Sequence, residues 1–201
     1  MKHVILTLWS IFIMTSAAAA AEKIEMTLST GGPVVIELLP EIAPKHVERI
    51  KELTELGFYN GVVFHRVIDG FMAQTGDPTG KGTGGSDLPD LPAEFSQQEY
   101  KRGTIGMART MDPNSANSQF FFCFDDTGCS FLKGQYTVWG QVTEGMEYID
   151  AVAKGEPPAN PDKIVEAKVV SDEPEVAAPV AEAEETDAAP ATDEPSEAAA
   201  E

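Results

Sequence analysis

Short runs of strand-like alternation recur along this chain, and helical spacing occurs only twice. Ile24, Met26 and Leu28 alternate with polar residues, the pattern of a half-buried strand. Gly31-Gly32 supplies a turn, and Val34, Ile36 and Leu38 resume the alternation, which predicts a hairpin. Further strands are expected over Val62–Ile68, Phe71–Thr75, Thr104–Ala108, Gln119–Phe124, Tyr136–Val142 and Ile164–Val170. Three consecutive phenylalanines make Gln119–Phe124 strongly β-prone. Pro44 opens the first helix, Val47, Ile50 and Leu53 give it one apolar face, and Gly57 ends it. Thr143 is expected to cap a second helix whose face is Met146, Ile149 and Val152. Gly76–Gly85, Asp87–Pro92 and residues 110–118 read as loops. Many short strands with two helices imply a mainly β barrel or sandwich and argue against a parallel α/β sheet.

The two ends differ in composition from this middle. Residues 1–21 read as a signal peptide: Lys2 is the positive start, Val4–Thr15 the apolar run, and Ala17–Ala21 the small-residue cleavage site before Glu22. An uncleaved anchor is the other reading, but Thr7, Ser10, Thr15 and Ser16 dilute the run, no Cys stands there to carry a lipid and no second hydrophobic span follows, so no stable membrane anchor is expected. The net charge is −19, and eleven acidic residues with no Lys or Arg lie between Asp172 and Glu201. Residues 172–201 have almost no large apolar side chains and are expected to be a disordered acidic tail. Residues 22–171 remain as one folded domain, long enough to bury a core. The acidic balance argues against nucleic acid as a partner, because phosphate binding needs a basic face.

Several familiar kinds of chemistry lack their residues. Gly76-Asp-Pro-Thr-Gly-Lys-Gly-Thr fails as a phosphate loop, with the wrong spacing before Lys81 and no hydroxyl directly after it. After residue 21 the histidines are His46 and His65, and neither has metal-ligand spacing to other donors, so no metal is expected. There is no Gly-x-Ser-x-Gly elbow. Export makes a Cys123–Cys129 disulfide chemically possible, and a buried strand thiol with a separate loop thiol is the other reading.

The informative stretch is Phe64-His-Arg-Val-Ile-Asp-Gly-Phe-Met-Ala-Gln-Thr-Gly-Asp77. Alternation puts Phe64, Arg66 and Ile68 on one face. An arginine between apolar neighbours is costly if buried alone. Arg66 therefore sits in an ion pair at the rim or serves a ligand. This stretch resembles the cyclophilin signature Phe-His-Arg-x-x-x-Gly-Phe-Met-x-Gln-x-Gly-Asp. Ser118-Gln-Phe-Phe121 is similar to a second block of that family, and Phe131-Leu-x-Gly-Gln-Tyr-x-Val-x-Gly-x-Val142 to a third, all in family order over about residues 24–170.

The resemblance implies an eight-stranded antiparallel β-barrel closed by two α-helices and peptidyl-prolyl cis/trans isomerase activity without a cofactor. By position it makes Arg66 catalytic, makes Phe71, Met72, Phe121 and Leu132 the proline pocket, and sets Gln74 on the substrate backbone. It also implies substrate contacts from Phe131, which falls where many members have tryptophan, from Tyr136, where eukaryotic members often have histidine, and from Ala108-Arg109, where they have Ala-Asn. These departures resemble bacterial members. The expected partners are proline-containing, unfolded or partly folded exported polypeptides, met by a monomer in the periplasm or, as the second reading, after secretion. A barrel that binds such chains without catalysing rotation is the main rival reading.

Overall fold

The computed structural model describes residues 22–171, so the signal-peptide and tail readings lie outside the described residues. The alternation at the start becomes β1 (Glu22–Leu28) and β2 (Gly31–Leu38), paired antiparallel with Ile24 opposite Ile36. Next comes α1 (Pro44–Glu55), with Pro44 in its first turn, where a missing N–H costs nothing. It ends in a Schellman motif: Gly57 N donates to Thr54 O and Phe58 N to Leu53 O, with Gly57 at φ 68°. Then follow β3 (Arg66–Ile68), β4 (Met72–Thr75), β5 (Thr104–Met107), β6 (Phe120–Cys123), a 3-10 turn (Ser130–Leu132), β7 (Val138–Glu144), α2 (Met146–Asp150) and β8 (Ile164–Ser171).

The eight strands form one antiparallel sheet in the order β3-β4-β6-β5-β7-β2-β1-β8, rolled into a half-barrel. Its open side is drawn together by backbone bonds from Gly61 N to Ile164 O at 2.7 Å and from Phe64 N to Asp162 O at 2.8 Å. α1 packs on β7 and β8, and α2 on β2.

Strand alternation sorts the side chains into two cores. Ile24, Met26, Ile36, Val67, Ala73, Ile105, Phe120, Phe122 and Trp139 fill the interior under the helices. Met72, Phe121, Cys123 and Val138, from the other faces of β4, β6 and β7, form a second cluster with Tyr100, Cys129 and Leu132. β6 is thus buried on both faces, which is why it carries an unbroken apolar run. Each fully buried phenylalanine contributes about 1.5–3 kcal/mol through removal from water.

Two expected elements differ. Val62–Ile68 is not one strand: Val62–Phe64 leave the sheet to bond with the start of β8, and the pleat resumes at Arg66. The phase slips there, so Phe64 lies in the interior core with Val67 and is not on the face of Arg66 and Ile68. Thr143 does not cap α2. β2 pairs with β7 as far as Glu144, so sheet bonding holds Thr143 in the strand and Gly145 precedes the helix.

Candidate functional site

The second cluster opens outward as a pocket of ≈ 150 Å³ lined by Arg66, Phe71, Met72, Gln74, Ala108, Arg109, Phe121, Leu132 and Tyr136. Period-2 geometry puts them together. Arg66, Gln74 and Phe121 stand in one row across β3, β4 and β6, because Arg66 pairs with Gln74 and Gln74 with Phe121. Met72 pairs with Ile68 and Cys123 one step along the same face.

Phe121 owes its place to a missing side chain. A Cβ on Gly106 of β5 would lie 2.5 Å from Tyr100 Oη and 2.6 Å from Phe121 Cζ. With glycine there, the Tyr100 and Phe121 rings stack at 6.0 Å, and Tyr136 meets Phe121 edge-on at 5.9 Å. The far wall comes from the 3-10 turn. Cys123 and Cys129 form a disulfide, Cα to Cα 6.0 Å, tying the end of β6 to the residue that opens this turn. Of the two thiol readings, the bonded one holds. Phe131 stands at the pocket's margin, 61% exposed, its ring 5.5 Å from that of the pocket residue Phe71. Successive residues of a tight turn point apart, so Leu132 takes the inward place and Phe131 the outward one.

The polar groups are held individually. Arg66 Nε donates to Glu156 Oε1 at 2.7 Å, so Arg66 has an ion pair at the rim and also a place in the pocket wall. With the two side chains 42% and 53% exposed, such a pair adds no more than about 1 kcal/mol of stability. Gln74 Nε2 donates to Gln119 Oε1 at 2.9 Å, and Gln119 Nε2 donates to Gly84 O at 2.8 Å. Arg109 lines the pocket and is held there by bonds of its own: it donates to the carbonyls of Thr110 and Gln135 and lies 4.4 Å over the Tyr136 ring. The glycine-rich loop behind Gln119 wraps the buried Asp77 carboxylate, which accepts from the backbone N–H of Thr79, Lys81, Thr83 and Gly84. Burial alone would raise that carboxyl, but the bonds outweigh it and hold it at about 2.

His65 is buried beside the pocket and does not line it; burial lowers its pKa, so the ring is neutral at neutral pH. Glu156, Gln119 and Gly106 had no role in the sequence reading. Gln119 stands inside a matched block but no spacing rule marks it, and nothing in Gly155-Glu-Pro-Pro158 signals proximity to Arg66.

The sequence profile described as cyclophilin type peptidyl-prolyl cis-trans isomerase/CLD matches residues 23–169. A probable peptidyl-prolyl cis-trans isomerase of Brucella suis is 50% identical over 176 residues, covering 80% of this chain and 89% of that one. The crystal structure of the cyclophilin AquaCyp293 from Hirschia baltica aligns with TM-score 0.65 at 31% identity, covering 72% of each chain. A cyclophilin type isomerase of Cryptosporidium parvum, solved in the presence of the dipeptide Ala-Pro, aligns with TM-score 0.68 at 28% identity over 75% of this chain and 99% of that one. A match spanning nearly the whole described fold settles the family: the chain belongs to the cyclophilin-type peptidyl-prolyl cis-trans isomerases.

Proposed function

We propose that this isomerase acts on exported polypeptides and that Arg66 lowers the barrier by donating a hydrogen bond to the proline nitrogen of a twisted amide. The observation that carries the mechanism is the Arg66 guanidinium at the edge of an apolar pocket walled by Phe71, Met72, Phe121 and Leu132. Rotation about a peptide bond faces about 18–20 kcal/mol because conjugation makes the C–N bond partly double. Twisting removes that conjugation and leaves a lone pair on nitrogen. A donor aimed at the lone pair binds the twisted state and gains little from either planar form, which is the differential binding that accelerates a reaction. No bond breaks, so no nucleophile is needed. The pocket holds the ring, and Gln74, oriented by Gln119, anchors the backbone. The Ala-Pro dipeptide present with the Cryptosporidium parvum relative is of the ligand class this pocket suits.

The test is cis-to-trans conversion of a short X–Pro peptide by wild type and Arg66→Ala, with circular dichroism showing that both fold. The expected loss is roughly a hundredfold, the scale for one transition-state donor. A folded mutant with nearly full activity would end the Arg66 mechanism. A folded wild type without acceleration would favour proline-peptide binding alone.

Export is supported by the sequence of residues 1–21 and by a disulfide of the kind that persists in oxidising compartments. Chain recovered from the periplasm should begin at Glu22. Chain found only in the cytoplasm with Met1 in place would refute export.

A further inference from the structure

Arg66 has a cross-strand neighbour on each side. On one side, Gln74 opposes it in β4. On the other, Val67 and Gly155 form an antiparallel bridge, with Val67 N donating to Gly155 O at 2.8 Å and Gly155 N to Val67 O at 2.9 Å. In an antiparallel pair the residue before one member faces the residue after the other. The bridge therefore sets Glu156 against Arg66, and the contact is made at Nε. Nη1 lies at the pocket, 4.0 Å from Met72 Sδ.

We infer that Glu156 is the positioning residue of the reaction: its carboxylate grips Arg66 by Nε and so turns the Nη edge of the guanidinium toward the proline pocket. The inference rests on the reading of Arg66 as the donor. It adds the group that makes this donor directional.

The need for such a group follows from where Arg66 stands. β3 is three residues long and lies at one end of the sheet order. A long side chain that is 42% exposed there is not confined to one rotamer by packing alone. The donor must meet a lone pair that exists only in the twisted state, so a small misplacement costs rate. A guanidinium is planar and rigid, so fixing Nε fixes the direction of both terminal nitrogens. A contact at the Nη edge would occupy the donors that the substrate needs, whereas a contact at Nε leaves them available.

The turn that carries Glu156 is built for one conformation. Gly155 has φ 148°, and a Cβ there would stand 2.6 Å from Pro158 Cα and 2.8 Å from Pro158 N. No residue with a side chain fits. Pro157 and Pro158 have no backbone N–H to compete for the carboxylate. Glu156 also lines the cleft next to the proline pocket, with His65, Arg66, Gln74 and Gly80. It is not part of the proline pocket wall, so it acts through Arg66 and not on the ring.

The test uses residues 22–201 carrying Glu156→Ala, Glu156→Gln or Arg66→Ala, each checked for an unchanged melting temperature. Glu156→Ala should lower kcat roughly tenfold, the cost of a misdirected group, with KM nearly unchanged. Glu156→Gln, whose amide oxygen still accepts from Nε, should recover most of that loss and is the arm to read if the alanine variant is unstable. The Arg66 Nε–H resonance should shift in Glu156→Ala. Full kcat with an unmoved resonance in Glu156→Ala, while Arg66→Ala is inactive, would overturn the positioning role and leave the Arg66 reading standing. A rise in KM alone would also overturn it. Full activity in Arg66→Ala would remove both.

Discussion

Asp77, His46 and His65 each contribute to how this molecule responds to acid. Asp77 titrates at about 2 in the fold against 3.8 for the free group, so its stabilisation is complete above about pH 4 and is lost as pH falls toward 2. The shift corresponds to about 2 kcal/mol. Asp77→Asn should lower the urea-derived stability at neutral pH by about that amount, because one carboxylate oxygen becomes an N–H₂ facing donors. An unchanged urea midpoint would show that the loop does not depend on this carboxylate. His65 and His46 are lowered by burial, the latter despite Nδ1 lying 2.6 Å from Glu94 Oε2. Groups with lowered histidine pKa values favour the fold above their unfolded value. Stability should therefore start to fall as pH drops below 6.5, before Asp77 contributes to the loss. Activity should stay flat through neutral pH, because arginine remains charged and His65 stays neutral. A steep break in the pH–rate profile near neutrality in folded protein would point to His65 instead. Arg66, Phe71, Met72 and Gln74 were legible because they fall within one contiguous motif. Glu156 was not, since its partner lies ninety positions away in sequence.

At the scale of elements, β6 and the 3-10 turn decide the shape of the pocket. The disulfide joins Cys123 to Cys129 across a separation of six residues, directly under Leu132 and the Phe71–Phe131 contact. Closing a loop this short contributes about 2 kcal/mol in the chain-entropy account. Cys129→Ala should lose about that much stability and raise KM for the peptide, because the wall carrying Leu132 loses its tie. Unchanged KM and denaturation midpoint would mean the turn is held by packing alone. Gly106→Ala probes the opposite wall. The added methyl must displace Tyr100 or Phe121, a clash that costs roughly 1–3 kcal/mol in a packed site. Its kcat/KM should drop well below wild type, and full activity would show that Phe121 is free to move. The run of phenylalanines marked β6, and the strand reading from alternation matches β1 and β2. It failed over Val62–Phe64, where local pattern continues but the backbone leaves the sheet to close the half-barrel.

At the scale of the molecule, the described residues 22–171 form the sheet, the helices and the pocket, and eleven acidic residues follow Ser171 in the sequence. Removing residues 172–201 should leave kcat/KM for a short neutral X–Pro peptide unchanged. A large loss of peptide activity on tail removal would show that the barrel does not hold the activity by itself.

The sequence by itself determined the strand periodicity, the helix with its proline start and glycine end, and the ordered blocks that mark the family. Each of these is local, governed by neighbours within a few positions, and local preference survives whatever the rest of the chain does. The tertiary structure alone decided the phase slip at Phe64, the outward turn of Phe131, the pairing of Cys123 with Cys129 and the meeting of Arg66 with Glu156. Each of these depends on how the sheet closes and which segments it brings side by side. Residue spacing along the chain does not encode that register, because the register is set by the joint packing of both cores.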